Sequence, residues 1–436
     1  MITEFIKLIN KNQSLLLSYS GGLDSTVLLF QLIKFQKKYP SLNLRAIHIN
    51  HQLNIKSKQW SNHCKKMCNT INIPLITENI IIPNQNNIQA IARKIRYKTI
   101  EKHMNKNEIL LTAHHLDDQC ETLFLSLKRG SGLSGLSGMS YSTILKKNKI
   151  IFRPLLQYQK SQLYTWAILN NLHWIEDDSN LKNQYDRNFI RNVIIKKIKG
   201  KWPFFINNCY RSMHICHIQE KSLNHFLDNS LSKYLICHNI LNIKKFHIIH
   251  KETQILIIRR WIQKYAKLIP TYLQIQNIYN HLIINYQKYQ KYKVVFKNFE
   301  ICRYKNKIFK IPINNPIKNK ILFWYDYKIP IQLPQELGVI MTNQHGTKIP
   351  KPKINDLVSI RFQTDKKILI NKKYKTSIKN IWQHFKVPPW NRNRIPCLFY
   401  NNKLIYIIGI ILIYNPKNNN TNYWNISWVN NFKNYN

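Results

Sequence analysis

The chain has little cysteine for its length, with eight cysteines among 436 residues. They are scattered along the sequence, and no two of them form a C-x-x-C pair. This spacing argues against a disulfide framework and against a cysteine-rich metal site, because both need several cysteines close together. Scattered, reduced thiols are typical of cytoplasmic proteins, and we expect that location.

Long hydrophobic runs are also missing. The longest apolar run, 404–414, is interrupted by Gly409 and is too short to span a bilayer. We predict a buried strand there. The segment that begins at Met1 lacks the basic and apolar regions of a signal peptide. The sequence therefore predicts no association with a membrane.

Acidic residues are scarce: 20 Asp and Glu stand against 67 Lys and Arg, which gives a net charge of +47. Such an excess favours a polyanionic partner such as nucleic acid. A second explanation stays open, because Lys, Asn and Ile all have AT-rich codons and a biased genome would raise the Lys content regardless of function. With 44% hydrophobic residues, the chain can still bury sizeable cores.

The first part of the chain alternates short apolar runs with segments of helical spacing. We predict strands at 15–19, 44–50, 73–82 and 108–113, and helices at 25–37, 58–72, 88–104 and 117–128. This alternation predicts an α/β fold with a parallel sheet, whose ligand site lies beyond the carboxyl ends of the strands. We expect three domains: a catalytic domain at 1–214, a mainly helical domain at 215–345 and a small α+β domain at 346–436. The Gly/Ser-rich segment 131–140 is either a mobile loop over the site or a plain linker.

A glycine-rich segment, Ser20-Gly21-Gly22-Leu23-Asp24-Ser25, follows the first predicted strand and opens the first long helix. Two glycines let the backbone approach phosphate, and the N–H groups at a helix start point toward an anion. Asp24 would repel phosphates unless a metal bridges them, so it suggests Mg²⁺. The alternative is a simple Gly-Gly turn with an Asp cap. The segment is not a Walker motif, because it lacks G-K-[ST].

The S-G-G-x-D-S pattern resembles the PP-loop pyrophosphatases, which cleave ATP between the α and β phosphates and adenylate an oxygen of a substrate. Within that superfamily, T-A-H-H-L-D-D-Q-C-E-T at 112–122 is similar to the signature of the lysidine synthases. Further segments match that family in order along the chain: R-G-S-G at 129–132, R-P-L-L at 153–156, 174–180, 185–192 and K-V-P-P-W at 386–390. Two departures from its pattern are Gln52 and Gln89.

The resemblance implies adenylation of the wobble cytidine in the CAU anticodon of an isoleucine tRNA, followed by attack of free L-lysine. ATP and Mg²⁺ are the implied cofactors, and a homodimer is left open. The residues expected to contact ATP are Ser20, Gly21, Gly22, Leu23, Asp24, Ser25 and His48, with Asp24 also a Mg²⁺ ligand. The other expected residues are Arg93, for the departing pyrophosphate; His114, His115, Asp117 and Asp118, at the lysine pocket; and Arg187, Asn188, Arg191, Lys386 and Arg392, for the tRNA.

Among these, Asp24, Arg93, His115 and Asp118 are the predicted catalytic residues, and the base that deprotonates lysine stays open. Asp117 has a structural alternative as a helix cap, and the His and Asp pairs have a weaker one as a metal site. Two other functions are weighed: a PP-loop tRNA thiolase, which the missing C-x-x-C disfavours, and a non-catalytic RNA-binding remnant, which the intact loop disfavours.

Overall fold

The structure is a computed structural model of the chain. It describes residues 1–9, 13–51, 56–81, 83, 88–145, 149–178, 183–287, 292–364, 367–370, 374–414 and 422–429. The chain forms two compact units, Met1–Phe226 and Leu227–Asn436. The division into three domains that the sequence suggests stays a prediction. None of the described helices has the length and apolar character needed to cross a membrane.

The first unit is built on a six-stranded sheet with the order β3-β2-β1-β4-β6-β5, in which only β5 runs antiparallel to its neighbour. Its strands are β1 (Ser14–Ser18), β2 (Asn43–Asn50), β3 (Leu75–Asn79), β4 (Ile109–Leu111), β5 (Ser142–Ile144) and β6 (Ile150–Phe152). Its helices are α1 (Thr3–Leu8), α2 (Leu23–Lys38), α3 (Ser57–Thr70), α4 (Ile88–His103), α5 (Leu116–Lys128), α6 (Leu133–Leu136), α7 (Lys160–Leu169), α8 (Asp186–Phe189), α9 (Lys196–Lys201) and α10 (Phe205–Ser232).

The central strand β1 is apolar on both faces, because each face is covered. Leu15 and Leu17 pack into one hydrophobic core with residues of α2 such as Val27, whereas Leu16 packs into a second core with Leu110. A parallel strand that is buried on both sides gives a continuous apolar run, which is why this strand was readable in the sequence. The parallel α/β fold predicted for this region is confirmed.

The strand order places the functional segments at one edge of the sheet. The chain leaves β1 into the glycine loop, leaves β4 into the two histidines, and leaves β6 into Arg153. Since β1, β4 and β6 are parallel neighbours, their carboxyl ends lie side by side. The strand order reverses at β1 and β4, which is where open α/β sheets bind their ligands.

The Gly/Ser-rich segment 131–140 contains the short helix α6 and is anchored at its end. The side-chain amide of Gln119 accepts a hydrogen bond from the N–H of Met139 and donates one to its carbonyl, both at 2.7 Å. Gly138 has a φ of +66°, and a Cβ there would lie 2.1 Å from the Met213 side chain. These contacts tie the segment to α5 and α10, so it is more than a plain linker.

The second unit contains more strand than the sequence suggested. Its helices are α11 (Lys251–Ala266), α12 (Tyr272–Asn277) and α13 (Ile378–His384), and a π-helical turn, Ile278–Ile284, follows α12. Its strands are β7 (Leu235–Cys237), β8 (Ile240–Asn242), β9 (Lys293–Val295), β10 (Phe299–Tyr304), β11 (Lys307–Pro312), β12 (Ile321–Phe323), β13 (Ile331–Gln332), β14 (Val339–Pro350), β15 (Val358–Arg361), β16 (Lys367–Ile370), β17 (Tyr374–Ser377), β18 (Cys397–Tyr400), β19 (Lys403–Ile407), β20 (Ile411–Leu412) and β21 (Tyr423–Val429).

Two sequence expectations change in this unit. The region expected to be mainly helical also holds the five-stranded sheet β7-β8-β11-β10-β9. The run 404–414, expected to be one buried strand, is instead a hairpin of β19 and β20. Gly409 adopts a φ of +75° between the two strands, a left-handed conformation that suits glycine, so the chain reverses there.

Candidate active site

The glycine loop between β1 and α2 is held by its own hydroxyl groups. Ser25 Oγ donates to the carbonyl of Gly22 at 3.0 Å and lies 3.0 Å from Ser20 Oγ, while the N–H of Ser20 donates to Ser25 Oγ at 3.2 Å. Gly21 has a φ of +80°, and a Cβ there would lie 2.8 Å from Cys64 Sγ. The loop is thus a fixed turn at the start of α2, where the first backbone N–H groups of a helix are available to bind an anion.

His115 is enclosed by three carboxylates. Its Nε2 lies 3.5 Å from an Asp24 oxygen and 3.6 Å from an Asp118 oxygen, and its Nδ1 lies 3.6 Å from Asp117. The residue is only 1% exposed. Burial by itself lowers a histidine pKa, but Asp118, Asp117 and Asp24 outweigh it and raise the pKa of His115 to about 10. In this arrangement the ring is therefore a cation at neutral pH.

Asp118 belongs to a buried network of two acids and two arginines. Its Oδ1 accepts from Arg187 at 2.8 Å and from Arg191 at 3.3 Å. The two Glu121 oxygens each accept a 2.5 Å hydrogen bond, one from Arg187 Nε and one from Arg191 Nε. Burial opposes ionisation of Asp118, yet His115 and Arg187 hold its pKa well below the usual range.

Glu121 is also a member of this network. It belongs to the motif at 112–122, but the motif alone gave it no role. Its side chain is fully buried. The spacing in the sequence indicated this role, since Asp118 and Glu121 lie one turn apart on one face of α5, and Arg187 and Arg191 also lie one turn apart. Asn188 is half-buried between the two arginines.

Asp117 and Asp118 cap the N-termini of two different helices. Asp117 accepts a 2.8 Å hydrogen bond from the N–H of Lys160, at the first turn of α7, and lies 3.8 Å from Lys199. Asp118 accepts from the N–H of His115 at 3.0 Å and so caps α5 itself. The structural alternative for Asp117 is therefore supported, although the helix it caps is α7.

His114 lies on the other side of the strand end from His115 and has the opposite character. Its Nδ1 lies 2.9 Å from Thr112 Oγ1. Burial, together with Arg153, Arg93 and Arg96, lowers the pKa of His114 to about 3 against the opposing effect of Asp118. His114 is therefore neutral. Arg93 is exposed, with its guanidinium carbon 5.4 Å from the Tyr97 ring centroid.

His48 is buried behind the glycine loop. Its Nδ1 lies 3.0 Å from the carbonyl of Tyr19 and its Nε2 lies 3.1 Å from Ser61 Oγ. Burial lowers the pKa of His48, so the ring is neutral. Both ring nitrogens thus connect the end of β1 to α3, and the predicted contact with ATP stays a prediction. Gln52 and the side chain of Gln89 lie outside the described residues.

The two cysteines beside that histidine are core residues. Cys64 and Cys68 are fully buried in the same hydrophobic core as Leu15. Within the described part of the chain, no three His, Cys, Asp or Glu side chains form a group that could hold a metal ion. A metal site made from the His and Asp pairs is therefore not supported by the described residues.

Comparison with known proteins agrees with the motifs. A PP-loop domain model matches residues 1–198, and a model described as a TilS substrate C-terminal domain matches residues 358–428. The tRNA(Ile)-lysidine synthase of Buchnera aphidicola subsp. Acyrthosiphon pisum is 46% identical to this chain, over 97% of the chain and 96% of the relative. That of Buchnera aphidicola subsp. Baizongia pistaciae is 44% identical, over 100% and 99%. That of Pectobacterium atrosepticum is 34% identical, over 91% and 90%.

The chain belongs to the tRNA(Ile)-lysidine synthase family. The resemblance that the motifs indicated is thereby confirmed, and with it the ATP-using, tRNA-modifying class of enzyme. The matches cover nearly the whole length of these relatives, so both ends of the motif series lie within one continuous family sequence.

One residue of this lysidine synthase family site is suited to Mg²⁺. Asp24 Oδ1 is buried without a hydrogen-bond partner among the described residues, while its other oxygen faces His115. Mg²⁺ is usually held by one or two carboxylates together with substrate phosphates and water. A single carboxylate oxygen beside the phosphate-binding turn fits that ligand set.

The family's C-terminal K-V-P-P-W element forms a packed turn. Lys386 is exposed and has a φ of +54°, and Arg392 Nε donates to the carbonyl of Val387 at 3.3 Å. The Trp390 ring packs against Phe309 and Tyr304, with centroids 5.0 and 6.3 Å away. Trp390 is thus half-buried against two aromatic rings of the second unit.

Proposed function

We propose that this chain carries out its family's reaction with Asp24, His115 and Asp118 at its centre. ATP adenylates O2 of the wobble cytidine of a CAU isoleucine tRNA, and pyrophosphate leaves. The ε-amine of free L-lysine then attacks C2, and AMP leaves with that oxygen. The observation that carries this proposal is the 3.5 Å distance between His115 Nε2 and an Asp24 oxygen, because Asp24 belongs to the ATP loop itself.

The adenylation half depends on the glycine loop. The N–H groups at the start of α2 and the hydroxyls of Ser20 and Ser25 hold the phosphates. Asp24 would hold Mg²⁺, which would supply positive charge for the departing pyrophosphate. Arg93, an exposed residue of α4, adds a cation on that side of the site. His48 keeps the end of β1 in place for this loop.

The ligation half depends on the carboxylates around His115. A lysine ammonium needs negative charge to bind, and Asp24 and Asp118 lie on either side of the His115 Nε2. Asp118 is a poor base, because its oxygens already accept hydrogen bonds from Arg187, Arg191 and the His115 backbone. His115 is a cation in this arrangement, so its ring cannot accept a further proton, and the base that deprotonates the lysine amine stays open.

The tRNA contacts remain proposals. Arg187 and Arg191 stay about 30% exposed while they hold Asp118 and Glu121, so they offer the tRNA a positively charged edge near the site. In the second unit, Lys386 and Arg392 present further positive charge. Free lysine, Mg²⁺, the cytoplasmic location and a homodimer likewise stay predictions.

The direct test is lysine attachment. The protein is incubated with Mg²⁺, ATP, labelled lysine and CAU isoleucine tRNA, and label in the tRNA is counted. We expect incorporation by the unmodified chain and a loss of about 100-fold or more in Asp24→Asn, the range that removal of one electrostatic contact costs a reaction. The matched control is Asp186→Asn, an exposed acid paired with Lys128.

Each outcome of that test has a consequence. Equal incorporation by Asp24→Asn and the unmodified chain would remove the proposed role of the loop carboxylate. Absence of label with the unmodified chain, combined with intact tRNA binding, would favour the non-catalytic alternative.

A further inference from the structure

Arg153, the first residue of the R-P-L-L motif, has no role in the reaction as proposed. It follows β6 directly and is only 6% exposed. Its Nη1 donates to the carbonyl of Ser140 at 2.7 Å and to Thr143 Oγ1 at 2.9 Å. Its Nε is buried and has no hydrogen-bond partner among the described residues. One edge of this guanidinium is thus fixed and another is unsatisfied.

Arg96 and Tyr97, on α4, have unsatisfied donors as well. The guanidinium carbons of Arg93 and Arg96 each lie 5.4 Å from the Tyr97 ring centroid. Arg96 Nε and the Tyr97 hydroxyl are buried without partners in the described part of the chain. Burial lowers the pKa of both Arg96 and Arg153, and Arg93 lowers each further. Tyr97 raises the pKa of both arginines, so the three side chains form one cluster.

This Arg96–Tyr97–Arg153 cluster has positive charge without a matching acid. Across the described ranges, no carboxylate lies within 4.0 Å of Arg93, Arg96 or Arg153, in contrast to Arg187 and Arg191. Buried donors that lack partners are costly, and buried guanidinium groups are normally paired. Several unsatisfied donors that surround one place therefore indicate that an anion completes them.

We infer that the Arg96–Tyr97–Arg153 cluster binds a backbone phosphate of the RNA next to the cytidine that is modified. The inference rests on the proposed function. Strand β6 is separated from β1 by β4, so the cluster lies roughly 10 Å along the sheet edge from the ATP loop, given about 4.8 Å between neighbouring strands. His114 follows β4, which lies between β1 and β6, so this neutral side chain lies between the two phosphate sites. Planar guanidinium groups suit phosphate, since they donate two parallel hydrogen bonds.

The test is a double-mutant cycle between the protein and single phosphates of the RNA. The full chain binds an anticodon stem–loop RNA, either unmodified or with one neutral methylphosphonate on the 5′ or the 3′ side of the wobble cytidine. We expect Arg153→Gln to weaken binding of the unmodified RNA about 10-fold, the value of one charge-assisted hydrogen bond. We expect no further loss for one of the two methylphosphonate RNAs, because the same contact is already absent.

Two other variants and a control accompany Arg153→Gln. Arg96→Gln should show the same coupling, and Tyr97→Phe should show it more weakly, since it removes only a hydroxyl. If Arg153→Gln does not fold, these two variants carry the test. Arg211→Gln is the matched control, because Arg211 is an exposed arginine of α10. Its effect and that of either methylphosphonate should add without coupling.

ATP binding, measured without RNA, decides whether the cluster binds a phosphate of ATP or a phosphate of the RNA. Unchanged ATP affinity in Arg153→Gln, with coupling to one methylphosphonate, supports the inference. A 10-fold loss of ATP affinity without coupling assigns the cluster to ATP and overturns it, and so does additivity at both phosphates. The cycle measures binding only, so a chain that shows coupling but attaches no lysine would contradict the proposed function and leave the RNA site standing.

Discussion

At the scale of single residues, Glu121 shows how much charge this site buries. Each of its oxygens accepts a hydrogen bond from a different arginine, and the side chain has no exposed surface. From the sequence alone, a glutamate in the middle of an amphipathic helix is most simply interpreted as exposed. Its partners lie 66 and 70 residues further along the chain, so the spacing of the charges indicates a shared face but the fold is needed to show which residues pair.

Glu121→Gln should destabilise the first unit strongly. Removing one partner of a buried ion network leaves Arg187 and Arg191 without their counter-charge, a loss of about 3 kcal/mol in the free energy of unfolding. Denaturant unfolding of the full chain measures this loss. Asp186→Asn, which breaks only the exposed pair with Lys128, should cost less than about 1 kcal/mol. Equal losses for both variants would contradict the buried network.

His114 and His115 are adjacent and identical in the sequence, yet the structure gives them opposite charge states. His115 is surrounded by carboxylates and His114 by arginines. The sequence predicted correctly that both lie at the end of β4 beside the loop. It gave no means to decide which one is cationic, because that depends on groups brought from α2, α4 and the end of β6.

The acid stability of the chain should depend on His114. Its pKa is about 3 when folded and 6.5 as the ordinary value, so the unfolded chain binds one more proton between these limits. The contribution of His114 to stability is therefore complete above pH 6.5 and falls by about 1.4 kcal/mol per pH unit as the pH drops toward 3. His114→Gln should lack this dependence. Denaturant unfolding at several pH values between 7 and 4 compares the two, and parallel curves would contradict a buried, neutral His114.

At the scale of elements, the two loop glycines should differ in their tolerance of alanine. Gly21→Ala places a Cβ 2.8 Å from Cys64 Sγ at a φ of +80°, whereas Gly22 has a φ of −80° and its Cβ would meet nothing closer than 3.6 Å. We expect Gly21→Ala to weaken ATP binding about 10-fold or more, because the left-handed conformation alone costs about 1–2 kcal/mol. Gly22→Ala should change ATP affinity much less. Calorimetric titration with ATP and Mg²⁺ distinguishes them, and the reverse order would show that the loop adopts another conformation.

Predictability differed between the two units for a physical reason. The predicted helix 88–104 and the observed α4, Ile88–His103, agree closely, since α2, α3 and α4 are helices of 14 to 16 residues. The strands β7, β8 and β9 have three residues each, and strands this short carry no clear alternation. The hairpin at Gly409 was missed because its two strands are apolar on both sides of the turn.

At the scale of the whole molecule, the charge of +47 still has two explanations, and salt separates them. If the tRNA neutralises about 6 to 10 cationic side chains, its affinity should fall by about 10³- to 10⁵-fold between 50 and 200 mM salt. Filter binding of the CAU isoleucine tRNA across this range measures the slope. A change of less than tenfold would assign most of the excess charge to codon usage. ATP affinity, measured alongside, serves as the control for general effects of salt.

The buried network of Arg187, Arg191, Asp118 and Glu121 also has a consequence for which amino acid the site would accept as substrate. Two arginines hold both acids, and the His115 backbone also holds Asp118, so the acids are set in position by folding and have little freedom to follow a substrate. If lysine binds here as proposed, we expect a diamino acid one methylene shorter to be a poor substrate, because its ammonium would not reach these fixed oxygens.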